Sequence, residues 1–357
     1  MKQKLIFTNL VGQAIDTLVA DLGTPQVVVV TDTNTAQFVL PIIVNDSKVV
    51  ASAKLITIKS GDSNKTLDEL KNVWMRLAES EASRNTVVIN IGGGVVSDLG
   101  GFAAATFKRG LRYINVPTTV LGAVDAATGG KTGINFNGLK NQIGAFAEPE
   151  AAIISTIFFN TLPQQQILSG YAEMLKHGLL ENPDVLGKLL AFSPVYPVFN
   201  SEAMMPLLQD SVMVKANIVD QDLTESGLRK ALNLGHTIGH ALEAFAFKHQ
   251  NPIPHGYAVA WGLVTELILS HTLQNFPSDE VHRFAQYVKT NYGAFPITCD
   301  DYPELIAAMR QDKKNANADS INFTLLKAVG EPVLNVVATP EQITAALDLY
   351  RDLLGLA

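Results

Sequence analysis

Two histidines four residues apart are the residues of this chain best placed for chemistry. His236 and His240 lie in a segment, residues 232–243, whose apolar residues recur at helical spacing. On a helix both imidazoles leave the same face, so they can share a metal ion, or one can bind it while the other transfers a proton. Gly235 and Gly239 flank them, and because glycine costs about 1 kcal/mol relative to alanine inside a helix, they indicate a bulky neighbour. A helix that packs tightly and carries two incidental histidines would show the same pattern.

A carboxylate and a third histidine complete a candidate metal site. Glu173 lies in an apolar helical segment three residues before Lys176, and a buried carboxylate requires a cation or a metal. His255 stands between a proline and a glycine, just ahead of an apolar helical stretch, where its ring is restrained. One carboxylate and two imidazoles make a zinc site with a position left for water or substrate. We therefore take Glu173, His236 and His255 as candidate ligands. This leaves His240 for proton transfer, although spacing alone does not separate the histidines.

Four short β-branched runs in the first half predict a parallel sheet that positions a nucleotide. They cover residues 26–31, 55–59, 86–91 and 113–116. Each ends in a polar or glycine-rich turn, and ligands of α/β sheets bind at the carboxyl ends of the strands. The turn Gly92-Gly93-Gly94 suits a phosphate, because glycines admit a close backbone approach and free helix-start amides point toward an anion. A tight turn without a ligand would use the same residues.

A glycine-rich stretch, residues 118–146, contains Lys131, Lys140 and Asn141 among six glycines. Connections of this length inside a compact domain are usually functional. Ammonium groups here can hold phosphate or carboxylate oxygens, whereas the alternative is a solvated loop whose lysines serve solubility.

The whole chain has the length and composition of a soluble two-domain protein. It has 357 residues, 47% of them hydrophobic, and from about residue 161 helical patterns replace the β-branched runs. We expect domains at 1–155 and 156–357. The net charge of −7, without a basic run, argues against nucleic acid as a partner. The single Cys299 excludes an internal disulfide and fits a reducing compartment, and no apolar run is long enough to span a membrane. We expect a cytoplasmic protein.

Taken in order, these motifs resemble the 3-dehydroquinate synthase family of sugar phosphate cyclases. The resemblance covers about residues 25–330 and is carried by residues 92–98, 116–119, 125–132, 140–146, 170–173, 232–243 and 254–256. Two positions depart from the family pattern. Asp62 stands where the turn Gly-Glu-x-x-Lys usually has glutamate, and Asn135 stands where aspartate is frequent.

The resemblance implies an N-terminal Rossmann-like α/β domain that binds NAD and a mostly α-helical C-terminal domain that binds Zn²⁺ or Co²⁺. It also implies a homodimer. The family converts 3-deoxy-D-arabino-heptulosonate 7-phosphate to 3-dehydroquinate and phosphate, in the shikimate pathway of aromatic amino acid biosynthesis. The reaction combines transient oxidation by NAD, β-elimination of phosphate, re-reduction and an intramolecular aldol step.

The resemblance also implies roles for individual residues. The positions that match NAD contacts or their neighbours are Asp32, Asn34, Asp62, Lys65, Gly93, Gly94, Val95, Asp98, Thr118, Thr119, Lys131, Lys140, Phe158 and Thr161. Those that match zinc ligands are Glu173, His236 and His255. Those that match the substrate shell are Lys131, Asn141, Lys176, Lys215, Arg229, Asn233 and His240. Arg109 is similar to an arginine that the partner subunit lends to the substrate phosphate, and either Lys313 or Lys314 resembles a further phosphate contact.

Three other functions are compatible with the same motifs. A related cyclase such as 2-deoxy-scyllo-inosose synthase would use the same cofactor and metal on a substrate without a carboxylate. A metal-dependent polyol dehydrogenase would release NADH. A catalytically inactive binding protein on this scaffold would have no need to retain all three candidate ligands.

Overall fold

The computed structural model describes residues 3–137, 139–223, 225–310 and 321–356. It consists of two compact units, the first formed by Met1–Pro163 and Ser201–Val212 and the second by Gln164–Asn200 and Met213–Ala357. Lys313 and Lys314, one of which is the predicted further phosphate contact, lie outside the described residues. Within those ranges, none of the helices combines the length and the apolar character that a bilayer crossing requires.

The first unit alternates strands and helices. Its strands are β1 (Lys4–Phe7), β2 (Val27–Asp32), β3 (Lys54–Ile58), β4 (Val87–Gly92), β5 (Arg112–Pro117), β6 (Lys131–Phe136), β7 (Leu139–Phe146) and β8 (Ala151–Ile154). Its helices are α1 (Val11–Asp21), α2 (Thr33–Phe38), α3 (Leu40–Val44), α4 (Lys48–Ser52), α5 (Leu67–Glu79) and α6 (Gly94–Thr106). Six strands form one sheet in the order β1-β8-β5-β4-β2-β3, and every pair in it is parallel.

The sheet is buried on both faces, which explains its β-branched runs. Along β2, Val27 and Val29 belong to a core cluster that includes residues of α1, α3 and α4. Val28 and Val30 point to the opposite face, where residues of α5 and α6 complete a second cluster. The four runs that predicted strands correspond to β2, β3, β4 and β5, so the predicted parallel sheet is confirmed.

The direction in which successive strands are added to the sheet changes at β2. β2 pairs with β3 on one side and with β4 on the other, so the ends of β2 and β4 flank a topological switch point. Asp32 ends β2, and the Gly93 turn follows β4. The Thr118 amide donates to the Gly92 carbonyl oxygen at 3.0 Å, which places the end of β5 beside the same turn. The turns predicted to bind a nucleotide therefore share one edge of the sheet.

The glycine-rich stretch is partly a hairpin and not a continuous loop. β6 and β7 pair antiparallel, with Gly133 opposite Gly144. A Cβ atom on Gly144 would lie 2.0 Å from the Thr132 carbonyl oxygen, so these two glycines permit the close approach of two backbones.

The second unit is mostly helical. Its helices are α7 (Gln164–Glu181), α8 (Pro183–Ala191), the later part of α9 (Ser201–Gln221), α10 (His236–Lys248), α11 (His255–Gln274), α12 (Ser278–Tyr292), α13 (Tyr302–Arg310) and α14 (Pro340–Leu354). The unit also contains an antiparallel hairpin of β9 (Ile321–Ala328) and β10 (Glu331–Ala338). This hairpin was not predicted from the sequence. α11 is buried from Ala258 to Ser270 and packs against α7, α10, α12, α14 and β9, so it is the central helix of the unit.

Candidate metal centre and nucleotide-binding residues

Three helices of the second unit bring the predicted ligands together. Glu173 lies on α7, His236 begins α10 and His255 begins α11. The Nε2 atoms of both histidines lie 3.3 Å from Glu173 Oε1, and the two rings are 5.3 Å apart between centroids. Residues up to 82 positions apart in the chain thus form one cluster of a carboxylate and two imidazoles, as the sequence predicted.

Glycines allow the helices to approach closely enough for this convergence. A Cβ on Gly256 would lie 1.8 Å from the Ser169 carbonyl oxygen, so the first turn of α11 rests directly on α7. A Cβ on Gly262 would lie 2.1 Å from the Gly235 carbonyl oxygen, so α11 is equally close to the start of α10. The bulky neighbour that Gly235 and Gly239 predicted is α11 itself.

The Nδ1 atom of each candidate ligand histidine lies within hydrogen-bond distance of an oxygen. His236 Nδ1 lies 3.0 Å from the Leu234 carbonyl oxygen, and His255 Nδ1 lies 3.0 Å from Glu243 Oε2. Because Nδ1–H donates in each contact, Nε2 is the ring atom that faces Glu173, and it can bind a metal when it carries no proton.

The cluster is electrostatically coupled. Burial alone would raise the pKa of the Glu173 carboxyl, but Lys176, in direct contact with it, and the two imidazoles hold that pKa well below its ordinary value. Burial and Lys176 lower the pKa of His236 to about 4. Burial also opposes a charge on His255, yet its bonds to Glu173 and Glu243 raise its pKa to about 10. A divalent ion held by His255 would require the neutral ring, so its binding would release a proton.

The donor set fits a divalent ion. Ligand atoms about 2.0–2.1 Å from a tetrahedral zinc are about 3.4 Å apart, close to the 3.3 Å that separates Glu173 Oε1 from each Nε2. Glu173 is fully buried; its carboxyl group contacts Lys176, and its Oε1 atom faces the Nε2 atoms of both histidines. A buried carboxylate in that position is stabilised by a cation.

A second group overlaps the first. His240, Glu243 and His255 also place potential ligand atoms within 4.8 Å of one another. The ring of His240 is 5.3 Å from that of His236 and 6.1 Å from that of His255, and His240 is exposed. The two groups share His255, whose Nε2 atom faces Glu173 and whose Nδ1 atom faces Glu243.

Glu266, which is not among the residues predicted from the sequence, holds the start of α10. This fully buried carboxylate on α11 accepts hydrogen bonds from the amides of Gly235 (2.6 Å), Thr237 (3.0 Å) and Ile238 (3.1 Å). It therefore supplies the N-terminal cap that α10 lacks in its own sequence. The sequence feature that could have indicated Glu266 is a single carboxylate in the otherwise apolar run that starts at Ala258.

We expect Glu266→Gln to lower the free energy of unfolding by about 1–3 kcal/mol, because an amide cannot accept all three bonds. Urea denaturation of the metal-free protein measures this. The matched exposed substitution Glu331→Gln should stay within about 0.5 kcal/mol of the parent. Equal stability of the two variants would contradict the capping role.

Three cations assigned to the substrate shell are buried in the second unit. Lys176, Lys215 and Arg229 are 2%, 6% and 2% exposed. The segment Leu228–Asn233 contains both Arg229 and Asn233. The side-chain Nδ2 of Asn233 donates to Glu225 Oε1 at 3.0 Å. Buried cations of this kind are suited to anionic groups, because little water competes with them.

The loop before that segment is held by hydrogen bonds to Asp222. Asp222 accepts hydrogen bonds from the amides of Gly227 at 2.7 Å and Arg229 at 3.1 Å, and these bonds, with those from Ser226, lower its pKa to about 2. The Arg229 guanidinium also donates to the Leu223 carbonyl oxygen at 2.8 Å. The backbone and the side chain of Arg229 are thus both fixed.

In the first unit, three predicted nucleotide or substrate residues form one cluster. The buried ammonium group of Lys65 contacts both Asp98 and Asn141. Asn135 connects the same loops. Its side-chain Nδ2 donates to the Asp62 carbonyl oxygen at 3.1 Å and to Asp62 Oδ2 at 3.4 Å. Its Oδ1 accepts from the backbone N–H of Asn141 at 3.0 Å. The two departures from the family pattern, Asp62 and Asn135, therefore contact each other.

The other predicted nucleotide residues have different surroundings. Asp32 caps α2 by accepting from the amides of Asn34 and Thr35, both at 2.9 Å. A Cβ on Gly93 would lie 3.0 Å from the Thr119 side chain, so Gly93, Gly94 and Val95 start α6 beside the turn after β5. Phe158 is buried in the core, and Thr161 donates to its carbonyl oxygen at 2.7 Å. Lys131, Lys140 and Arg109 are exposed, whereas Thr118 is buried.

Comparison with known structures defines the class of fold. The chain superposes on a 2-deoxy-scyllo-inosose synthase crystallised with carbaglucose-6-phosphate, NAD⁺ and Co²⁺, with a TM-score of 0.83 at 21% identity over 96% of this chain and 95% of that one. A 2-epi-5-epi-valiolone synthase from Streptomyces hygroscopicus, with NAD⁺ and Zn²⁺ bound, gives 0.80 at 21% identity over 99% and 97%. The chain has the two-part fold of the sugar phosphate cyclases.

Sequence comparison defines the family within that class. The model of the 3-dehydroquinate synthase N-terminal domain matches residues 55–169, and that of the C-terminal domain matches residues 170–315. A 3-dehydroquinate synthase from Parabacteroides distasonis is 43% identical over 355 residues, which cover 99% of both chains. The chain belongs to the 3-dehydroquinate synthase family.

Proposed function

We propose that the protein is a 3-dehydroquinate synthase that converts 3-deoxy-D-arabino-heptulosonate 7-phosphate to 3-dehydroquinate and phosphate. The observation that carries the proposal is the convergence of Glu173, His236 and His255 in a chain of this family. It acts in the shikimate pathway of aromatic amino acid biosynthesis and is cytoplasmic, in keeping with its single cysteine.

Two bound groups complete the site. When bound, NAD supplies a hydride acceptor and donor, and a divalent ion, which we assign as zinc, supplies a Lewis acid. The ion is held by Glu173, His236 and His255. We assign NAD binding to a domain of residues 1–155, and metal and substrate binding to a domain of residues 156–357. The structural support for this division is that the Lys65 cluster lies in the first unit and the ligand cluster in the second.

The chain's own residues then hold the substrate and move protons. We assign its carboxylate and phosphate to the cations and amides of the substrate shell, which fix one reactive conformer: Lys131, Asn141, Lys176, Lys215, Arg229 and Asn233. The exposed imidazole of His240, beside His236, exchanges the proton of the reacting hydroxyl with solvent. The leaving phosphate acts as the base for its own elimination, so no strongly basic side chain is required.

A phosphate-release assay tests the proposed reaction. Supplied with the heptulosonate phosphate and NAD, the protein should release phosphate without net NADH, and chelation should stop the release. Net NADH accumulation would favour a polyol dehydrogenase. Phosphate release from glucose 6-phosphate, which has no carboxylate, would favour another cyclase. No turnover of any of these substrates by metal-loaded protein would favour an inactive binding protein.

We further propose a homodimer in which Arg109 serves the partner's substrate phosphate. Arg109 is exposed, in a segment where Lys108, Arg109 and Gly110 all have positive φ, so its backbone is held in an unusual conformation. Mixing the inactive variants Arg109→Ala and His236→Ala should restore activity, because each hybrid dimer contains one intact site. A mixture as inactive as its components would contradict the shared site.

The contact between Asp62 and Asn135 predicts a specific pair of effects on NAD binding. Asn135→Asp replaces a donor with a second carboxylate near Asp62, a repulsion of about 1 kcal/mol, so the Kd for NAD should rise about fivefold to tenfold. The exchanged pair Asp62→Asn with Asn135→Asp restores a donor and an acceptor and should recover part of the affinity. Fluorescence titration with NAD measures both, with the exposed Asn85→Asp as control. An exchanged pair no better than Asn135→Asp alone would contradict the coupling.

A further inference from the structure

Glu243 connects the two helices that present the histidine ligands. It lies on α10, and its Oε2 atom is 3.0 Å from Nδ1 of His255, the first residue of α11. The contact is largely shielded, since the side chains of Glu243 and His255 are 13% and 26% exposed. On the other side of the ring, His255 Nε2 faces Glu173 Oε1 at 3.3 Å. The imidazole of His255 thus lies between two carboxylates.

The two ligand histidines are oriented by different chemical groups. His236 Nδ1 is held by the Leu234 carbonyl oxygen, two residues away on the same backbone. His255 depends on a side chain, and that side chain is an anion. A carboxylate that accepts from Nδ1–H fixes the ring angle, keeps the Nε2 lone pair free and makes that nitrogen a stronger donor to a metal.

We propose that Glu243 is a positioning residue that orients His255 and thereby sets the affinity of the site for its divalent ion. The inference rests on the proposed function, because it requires His255 to be a ligand through Nε2. Glu243 does not itself bind the ion in this assignment. The alternative is the overlapping group, in which Glu243 and His240 are ligands.

Zinc affinity of the full-length protein after chelation, measured by competition with a chromophoric chelator, tests the proposal. Glu243→Ala should weaken zinc binding about 10–100-fold, and Glu243→Gln, which keeps an acceptor without the charge, should weaken it less. The matched control is Glu304→Gln, because Glu304 contacts His249, a histidine outside both groups, at 3.4 Å. It should leave zinc affinity unchanged. Thermal melts of the metal-free variants identify any that fail to fold, and Glu243→Gln provides the conservative substitution.

A second measurement separates positioning from ligation. Cobalt absorption reports the coordination geometry, so the Co²⁺ spectrum of Glu243→Gln should shift in shape while its stoichiometry stays at one ion per chain. Loss of the ion in both Glu243→Gln and His240→Ala would overturn the proposal in favour of the overlapping group. Unchanged zinc affinity in Glu243→Ala would also overturn it. If instead His255→Ala retained full zinc affinity, the ligand assignment under the proposed function would fail as well.

Discussion

Replacing His236 with alanine is expected to remove the bound metal and to lower turnover by at least about 10³-fold. His236 supplies one of three protein ligands, and a Lewis acid at a reacting oxygen stabilises a transition state by several kcal/mol. Metal analysis of the purified variant and a phosphate-release assay measure both effects. Added zinc should restore little activity, because the remaining Glu173 and His255 form an incomplete site.

The matched variant is His240→Ala, four residues further along the same helix. It should retain its metal and lose about 10²–10⁴-fold in kcat, the usual contribution of a positioned acid–base group. The centroids of the His236 and His240 rings are only 5.3 Å apart. A difference in metal content between the two variants therefore reports different roles of the two residues and not different locations. Equal loss of metal from the two variants would contradict the assignment.

Replacing Lys176 with methionine is expected to lower the free energy of unfolding of the metal-free protein by about 3 kcal/mol. Lys176 and Glu173 are both buried and in direct contact, and removal of one partner leaves the other charge uncompensated. Denaturation in the presence of a chelator measures this loss. The exposed Lys188→Met should change stability by less than about 0.5 kcal/mol.

Zinc should reverse much of that loss. Lys176 and the metal ion are both cations that compensate Glu173, so zinc can take over when the ammonium group is absent. We therefore expect the stability gap between the parent and Lys176→Met to narrow in zinc, and the variant to bind zinc at least as tightly. An equal gap with and without zinc would show that Glu173 does not bind the ion.

The parts of the structure that the sequence predicted are those with a local pattern. β2 is a run of valines buried on both faces, as its β-branched pattern predicted, and it ends at the polar Asp32. His236 and His240 lie on one helix, as their spacing indicated. His255 begins α11 because Pro254 stands before its first residue and cannot continue an earlier helix.

The parts that the sequence did not predict depend on contacts between distant segments. Gly235 and Gly239, beside His236, allow the close approach of α11, which is visible only from their distances to Leu263 and Ala258. Glu243 and Glu266 contact residues 12 and up to 31 positions away, so no local spacing indicates their partners. The pairing of Asp62 with Asn135, over 73 positions, became visible in the same way.

The location of the metal ion tests the account most directly. A crystal structure of the zinc-loaded protein, with anomalous maps recorded on either side of the zinc edge, identifies the ion and its ligands. We predict one zinc ion bound by Glu173 and by the Nε2 atoms of His236 and His255, with His240 outside the coordination sphere. An ion bound by His240 and Glu243, or an ion that leaves Glu173 paired with Lys176 alone, would contradict the account.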